Sequence, residues 1–159
     1  MFELLFPFFL IVLFFLVLAI IWRNNARKYI SSGTVASAYD AWTQDKLLER
    51  LWGEHIHLGF YPSGKKNIDF RKAKVQFVHE LVKWSGLDKL PQGSRILDVG
   101  CGIGGSSRIL AEYYGFNVTG ITISPAQVKR ARELTPHGLN CNFQVMDALD
   151  LKFEDGSFD

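Results

Sequence analysis

Hydrophobic spacing changes character along the chain, from unbroken to helical to strand-like. Residues 4–22 read LLFPFFLIVLFFLVLAIIW without a single charge. At about 1.5 Å per residue, a helix of that length comes close to the roughly 30 Å of a bilayer core. The run therefore predicts one N-terminal transmembrane helix, an anchor over 1–23. Pro7 falls near its start, where a missing amide hydrogen costs least, and Trp22 stands where an interfacial aromatic is favoured. Arg23, Arg27 and Lys28 follow at once, while the other flank offers only 1–3. By the positive-inside rule the N-terminus lies outside and everything after Arg23 on the cytoplasmic face. A cleaved signal peptide would want basic residues before the apolar run and small ones directly after it, and this chain has neither.

Residues 24–38, NNARKYISSGTVASA, are polar and small, which predicts a linker. Residues 39–90 form a helical cap segment in this reading. Leu47, Leu48, Leu51 and Trp52 open it with helical spacing, 53–64 turn loop-like, and 69–84 are helical again, with Phe70, Ala73, Phe77, Val78, Leu81 and Trp84 on one face. After Pro91 the period changes. Strands are expected at 95–99 (RILDV), 117–123 (NVTGITI) and 141–146 (CNFQVM), with helices at 106–114 and from Ser124 to about Leu134 between them. Ser124 as N-cap, Pro125 at the first helical position and Gln127 in a capping-box place mark the second start. Strand-helix alternation implies a parallel sheet with helices on both faces. The chain stops at Asp159 with three strands laid down, so 91–159 reads as the first half of a doubly wound α/β domain. On that reading the chain is a fragment, inactive and poorly folded by itself.

Composition narrows the function. Hydrophobic residues make up 48% and charged residues 21%, with 13 Phe, which excludes a disordered chain. Lys and Arg number 18 against 16 Asp and Glu, a net charge of +2, so no broad positive field suits nucleic acid. Cys101 and Cys141 are the only cysteines. They make neither a disulfide framework nor a zinc site, and no metal is expected.

The most informative stretch is ILDVGCGIGG, 96–105, set between a strand and a helix. Gly100, Gly102 and Gly104 let the main chain approach a ligand, and the helix behind them points free amides at it. Gly100, Gly102 and Gly105 also satisfy G-x-G-x-x-G, a pattern that fits a dinucleotide equally well. Asp98 separates the two. A carboxylate at the strand end would repel a pyrophosphate but pairs with an ammonium. The stretch resembles the first motif of the Rossmann-like S-adenosylmethionine-dependent methyltransferases, in which the acidic residue and glycines hold the methionine part of the donor. Cys101 reads as a small residue of that loop. Many members end the second strand with an acid for the ribose hydroxyls; here Thr122 stands there, with Ser124 and Gln127 after it, which resembles the members acting on lipids. Asp147, with Ala148 beside it, occupies the place of the family's adenine contact.

Ahead of the loop lies LWGEHIHLGFY, 51–61, dense in aromatics, glycines and imidazoles. His55 and His57, two apart, face one side of an extended segment. Together with AYDAWTQDKLLER before it and the glycine loop after it, the segment closely resembles the cyanobacterial prenylquinol methyltransferases, then the tocopherol methyltransferases of plants. That resemblance implies S-adenosyl-L-methionine as methyl donor, Tyr39 over its carboxylate end, a lipophilic prenylquinol as acceptor, and a cyanobacterial plasma or thylakoid membrane as location. His55 or His57 is then the candidate base that takes the phenolic proton. Two other readings stay open: a methyltransferase for a different lipid (a tocopherol, sterol or fatty acyl chain), or an inactive, membrane-tethered donor-binding module.

Overall fold

The computed structural model describes residues 2–25, 31–63 and 67–159. They divide into two compact units, Met1–Ile30 and Ser31–Asp159. The first unit contains helix α1, Phe2–Asn25, uninterrupted across Pro7. Its side chains are described from 10 to 21, and all of these are exposed. Among the described residues no helix is long and apolar enough to cross a membrane. Arg27 and Lys28, which carry the expected orientation, lie outside the described residues, as does part of the expected linker.

The second unit begins where a linker was expected. Helix α2 spans Ser32–Gln44, because its small residues are compatible with a helix and its far end docks on a later one. Helix α3, Leu47–Trp52, follows a tight turn in which Asp45 accepts the amide of Leu47 at 2.8 Å. Helix α4, Phe70–Ser85, is capped by Asp69, whose carboxylate accepts the amides of Arg71 and Lys72, both at 3.0 Å. It ends at Gly86 in the left-handed conformation, φ 78°. The alternation after Pro91 then gives β1 (Arg95–Val99), α5 (Gly105–Tyr114), β2 (Asn117–Thr122), α6 (Pro125–Leu134) and β3 (Cys141–Val145).

The strands form one parallel sheet in the order β1-β2-β3, with Asp98 beside Gly120 and Gly120 beside Phe143. Successive strands step in one direction, and right-handed crossovers then bring α5 and α6 to the same face. Helices on both faces were expected; among the described residues the crossover helices cover one. Cys141 marks this, since it packs against both core clusters. One cluster joins Val82 of α4 to Ile96, Leu110, Ala111, Phe116 and Val118; the other joins Val128 and Ala131 of α6 to Cys101 and Phe143.

Candidate functional site

A cavity of about 450 Å³ opens at the carboxyl ends of the strands, where ligands of open α/β sheets bind. Its floor is the loop after β1. Gly100 and Gly102 have φ of 75° and 56°, and a Cβ on either would meet nothing within 4 Å. A non-glycine residue would therefore be strained there, and the space beside the backbone is open to a ligand. The amides of Gly100 and Cys101 both donate to the carbonyl of Ile121, at 2.9 and 3.0 Å, which ties the loop to β2.

Asp98 lines the cavity and accepts a 2.6 Å hydrogen bond from the Ser107 hydroxyl through Oδ2. Burial pushes its pKa up, against the opposing pull of Ser107 and of the nearby His57. Oδ1 has no hydrogen-bond partner among the described residues. No buried side-chain oxygen or nitrogen there lacks one, so Oδ1 is accessible. A half-desolvated carboxylate with a free oxygen is suited to a cationic group such as the ammonium of S-adenosylmethionine. Cys101 is buried, and burial followed by Asp98 pushes its thiol up to about 12, which leaves it inert as a nucleophile.

At the end of β2, the Thr122 hydroxyl donates to Gln127 Oε1 at 2.7 Å, and both side chains are buried. The reciprocal half of the expected capping box is absent for that reason; within its own segment Ser124 caps α6, accepting the amide of Gln127 at 3.1 Å. Thr122 thus spends its proton within the protein. The Gln127 amide nitrogen has no partner among the described residues and is the donor this corner turns outward. Beyond β3, Asp147 and Ala148 line the cavity, and Asp147 also accepts the amide of Leu149 at 2.9 Å in a turn.

The roof comes from the cap segment. His55 and His57 line the cavity with their rings 5.0 Å apart, and His57 lies 5.4 Å from the ring of Phe77. Two buried cations hold this strip of chain. Lys74 donates to the carbonyls of Trp52 and His55 at 3.1 and 2.7 Å and lies over the rings of Trp52 and Phe70. Arg108 of α5, 7% exposed, pairs with Glu54 at 2.6 Å and donates to the carbonyl of Ile103 at 2.9 Å. Two glycines allow the contact: a Cβ on Gly59 would press on Ala73 at 2.7 Å, and one on Gly105 would strike the Glu54 carbonyl at 2.7 Å and the His55 ring at 2.8 Å. Tyr39 reaches the same cavity from α2, its ring 5.5 Å from Trp42. Asp40 fastens that helix by accepting from the hydroxyl of Ser124 and the amide of Ala126, and Glu49 pairs with Arg130 at 2.6 Å.

The cavity gathers every candidate read from the sequence except Gly104. Gly104 has φ 80°, and a Cβ there would meet the Phe143 ring at 2.6 Å, so this glycine serves packing. Lys74, Arg108, Asp40 and Gly105 were not read as site residues. A buried charge looks like an exposed one in a sequence, and only the glycine pattern drew attention to Gly105.

Residues 96–159 match the family described as a methyltransferase domain. The chain is 58% identical over 156 residues to 2-methyl-6-phytyl-1,4-hydroquinone methyltransferase of Synechocystis sp., covering 98% of this chain and 49% of that protein. It is 41% identical over 123 residues to the chloroplastic tocopherol O-methyltransferase of Arabidopsis thaliana, covering 71% of this chain and 35% of the relative. The chain thus spans at most about half the length of these relatives. Among solved structures, a putative sarcosine dimethylglycine methyltransferase from Galdieria sulphuraria superposes with a TM-score of 0.65 at 28% identity, over 76% of this chain and 46% of that one. Magnesium protoporphyrin IX methyltransferase from Synechocystis, with bound S-adenosylmethionine, gives 0.55 at 26% identity, over 79% and 59%.

Proposed function

We propose, from the match of residues 96–159 to the methyltransferase-domain family and the identity with the hydroquinone enzyme, that the protein uses S-adenosylmethionine to methylate a ring carbon of a prenylated hydroquinone in tocopherol and plastoquinone synthesis. The single observation that carries the donor half is the accessible oxygen of Asp98 beside the open backbone of Gly100 and Gly102. Asp98 takes the donor's ammonium, Gln127 its sugar hydroxyls, Asp147 its adenine, and Tyr39 closes over its carboxylate end. When bound, the donor would supply a methyl group from its cationic sulfur.

The acceptor rests on identity with the hydroquinone and tocopherol enzymes. The protein's own contribution to the chemistry is positioning, with His55 or His57 as base for the phenolic proton. For the uncharged run 4–22, which extends beyond the side chains described for α1, we propose a single membrane span with the catalytic unit on the cytoplasmic side, in a plasma or thylakoid membrane of cyanobacterial type. Its support is the uncharged run 4–22 and the basic residues after it. An anchor raises the local concentration of a substrate that water does not carry.

The test is methyl transfer from labelled donor, by the purified protein in lipid vesicles, to 2-methyl-6-phytyl-hydroquinone, to γ-tocopherol and to a sterol. Label in the first acceptor at a ring carbon supports the reading. Label in another acceptor alone assigns a different lipid methyltransferase, and donor binding without transfer to any acceptor assigns a binding module.

A further inference from the structure

With both imidazoles neutral, two hydrogen bonds along the roof determine where their protons sit. His57 Nδ1 lies 2.8 Å from the carbonyl oxygen of Leu58, and His57 Nε2 lies 3.2 Å from His55 Nδ1. A carbonyl only accepts, so His57 carries its hydrogen on Nδ1. A neutral imidazole has one such hydrogen. His57 Nε2 is then a bare acceptor, and the hydrogen between the rings must belong to His55 Nδ1. His55 is left with a lone pair on Nε2. That atom has no hydrogen-bond partner among the described residues, and since no buried side-chain nitrogen there lacks one, it is accessible. His55 lines the cavity beside Gly105, whose missing Cβ leaves room for the ring.

We propose that His55 Nε2 is the atom that takes the acceptor's hydroxyl proton, and that His57 is a positioning residue which sets the tautomer of His55 without touching the acceptor. In the step, the acceptor's O–H bond breaks as its ring carbon takes the methyl group, the proton passes to Nε2, and the O–H electron pair flows into the ring. The hydrogen of that carbon then moves to the oxygen as the hydroquinone is restored, and Nε2 releases its proton to solvent. The inference rests on the methyltransferase reading for the proton that is moved, but not for the tautomers. Burial, with His57 second, lowers His55 to about 4, so this ring is neutral at working pH. The charged groups interacting with the two rings are Glu54 on the same segment, Lys74 of α4, Arg108 of α5 and Asp98 of β1.

The arrangement has a built-in reversal. A second proton on His57 goes to Nε2, which then donates to His55 Nδ1. His55 must in turn carry its hydrogen on Nε2, and the base is lost while His55 itself stays neutral.

Nitrogen NMR of the purified protein with isotope-labelled histidine tests the tautomers directly. With both rings neutral, each is expected to carry hydrogen on Nδ1 with a bare Nε2; hydrogen found on His55 Nε2 overturns the proposal. The variant His57→Phe keeps a ring against Phe77 and cannot accept. It is expected to move His55 toward the other tautomer and to lower kcat at least about tenfold, since general-base help is worth roughly 10²–10⁴, with KM for the donor unchanged. An unchanged kcat overturns it. The spectrum of the unaltered protein decides the tautomers whether or not the variant folds. Failure of every candidate acceptor would refute the functional reading and leave the tautomer result standing, so the two are separable.

Discussion

Gly105→Ala separates the geometry of the roof from the stability of the fold. Gly105 opens α5, and its φ lies outside the left-handed region, so alanine is not strained there and gains up to about 1 kcal/mol in helix propensity. The new Cβ would stand 2.7 Å from the Glu54 carbonyl and 2.8 and 2.9 Å from two atoms of the His55 ring, where ordinary contact begins at 3.4 Å. The cap must then retreat by about 0.7 Å, the difference between contact and the present spacing. It is held by Lys74 on the carbonyls and Arg108 on Glu54, so it cannot yield without loosening both. Overpacking of this kind costs about 1–3 kcal/mol, which the propensity gain partly offsets. Displacing a reacting group by about an ångström costs of the order of 10²-fold in rate. The expected result is a small loss of stability in urea unfolding together with a fall in kcat of roughly one to two orders of magnitude. Gly104→Ala is the control, with φ 80° and a Cβ 2.6 Å from the Phe143 ring. It should cost more than about 2 kcal/mol, from strain and overpacking together, and act first on stability. A Gly105→Ala enzyme with kcat within twofold of the parent would refute the claim that this glycine sets the position of His55.

The remaining predictions concern charge. Asp98→Asn should raise the melting temperature of the ligand-free protein at neutral pH. Its folded pKa lies above the unfolded one, so ionised Asp98 is a penalty that sets in as pH rises from the unfolded to the folded value. The same variant should weaken donor binding at least about tenfold in calorimetry, since a charge-assisted contact is worth roughly 1.5–3 kcal/mol, and unchanged affinity would count against the donor assignment. For His55, the folded value of about 4 lies below 6.5, so the folded state binds fewer protons in between and stability falls as pH drops from 6.5 toward 4. The loss is at most about 3 kcal/mol, and His55→Gln should flatten that part of the unfolding profile; an unaltered slope would assign it to other groups. Lys74→Met keeps an apolar chain over Trp52 and Phe70 but strands two carbonyls. It should cost about 1–3 kcal/mol and lower kcat more than it raises KM for the donor, which steady-state kinetics can resolve.

What the sequence determined by itself is the part of the molecule whose causes are local. Strand periods, the Ser124–Pro125 start of α6 and the glycine loop after β1 each depend on a few neighbouring residues, and each appears where its local chemistry places it. Asp98, Gly100, Gly102, Thr122 and Asp147 gather at one cavity because parallel strands bring their carboxyl ends together, a consequence of the alternation alone. Tertiary structure decided the remainder. Residues 32–38 are helical because Asp40 and Glu49 dock α2 and α3 onto α6, a cause lying some eighty residues further along the chain. Gln127 rather than Thr122 offers the outward donor, because the two buried side chains pair with each other. Lys74 and Arg108 became supports of the roof only when packing removed them from water and left backbone carbonyls and Glu54 as their partners. A residue type records its own charge and shape, whereas its desolvation and its partner are properties of the packed chain.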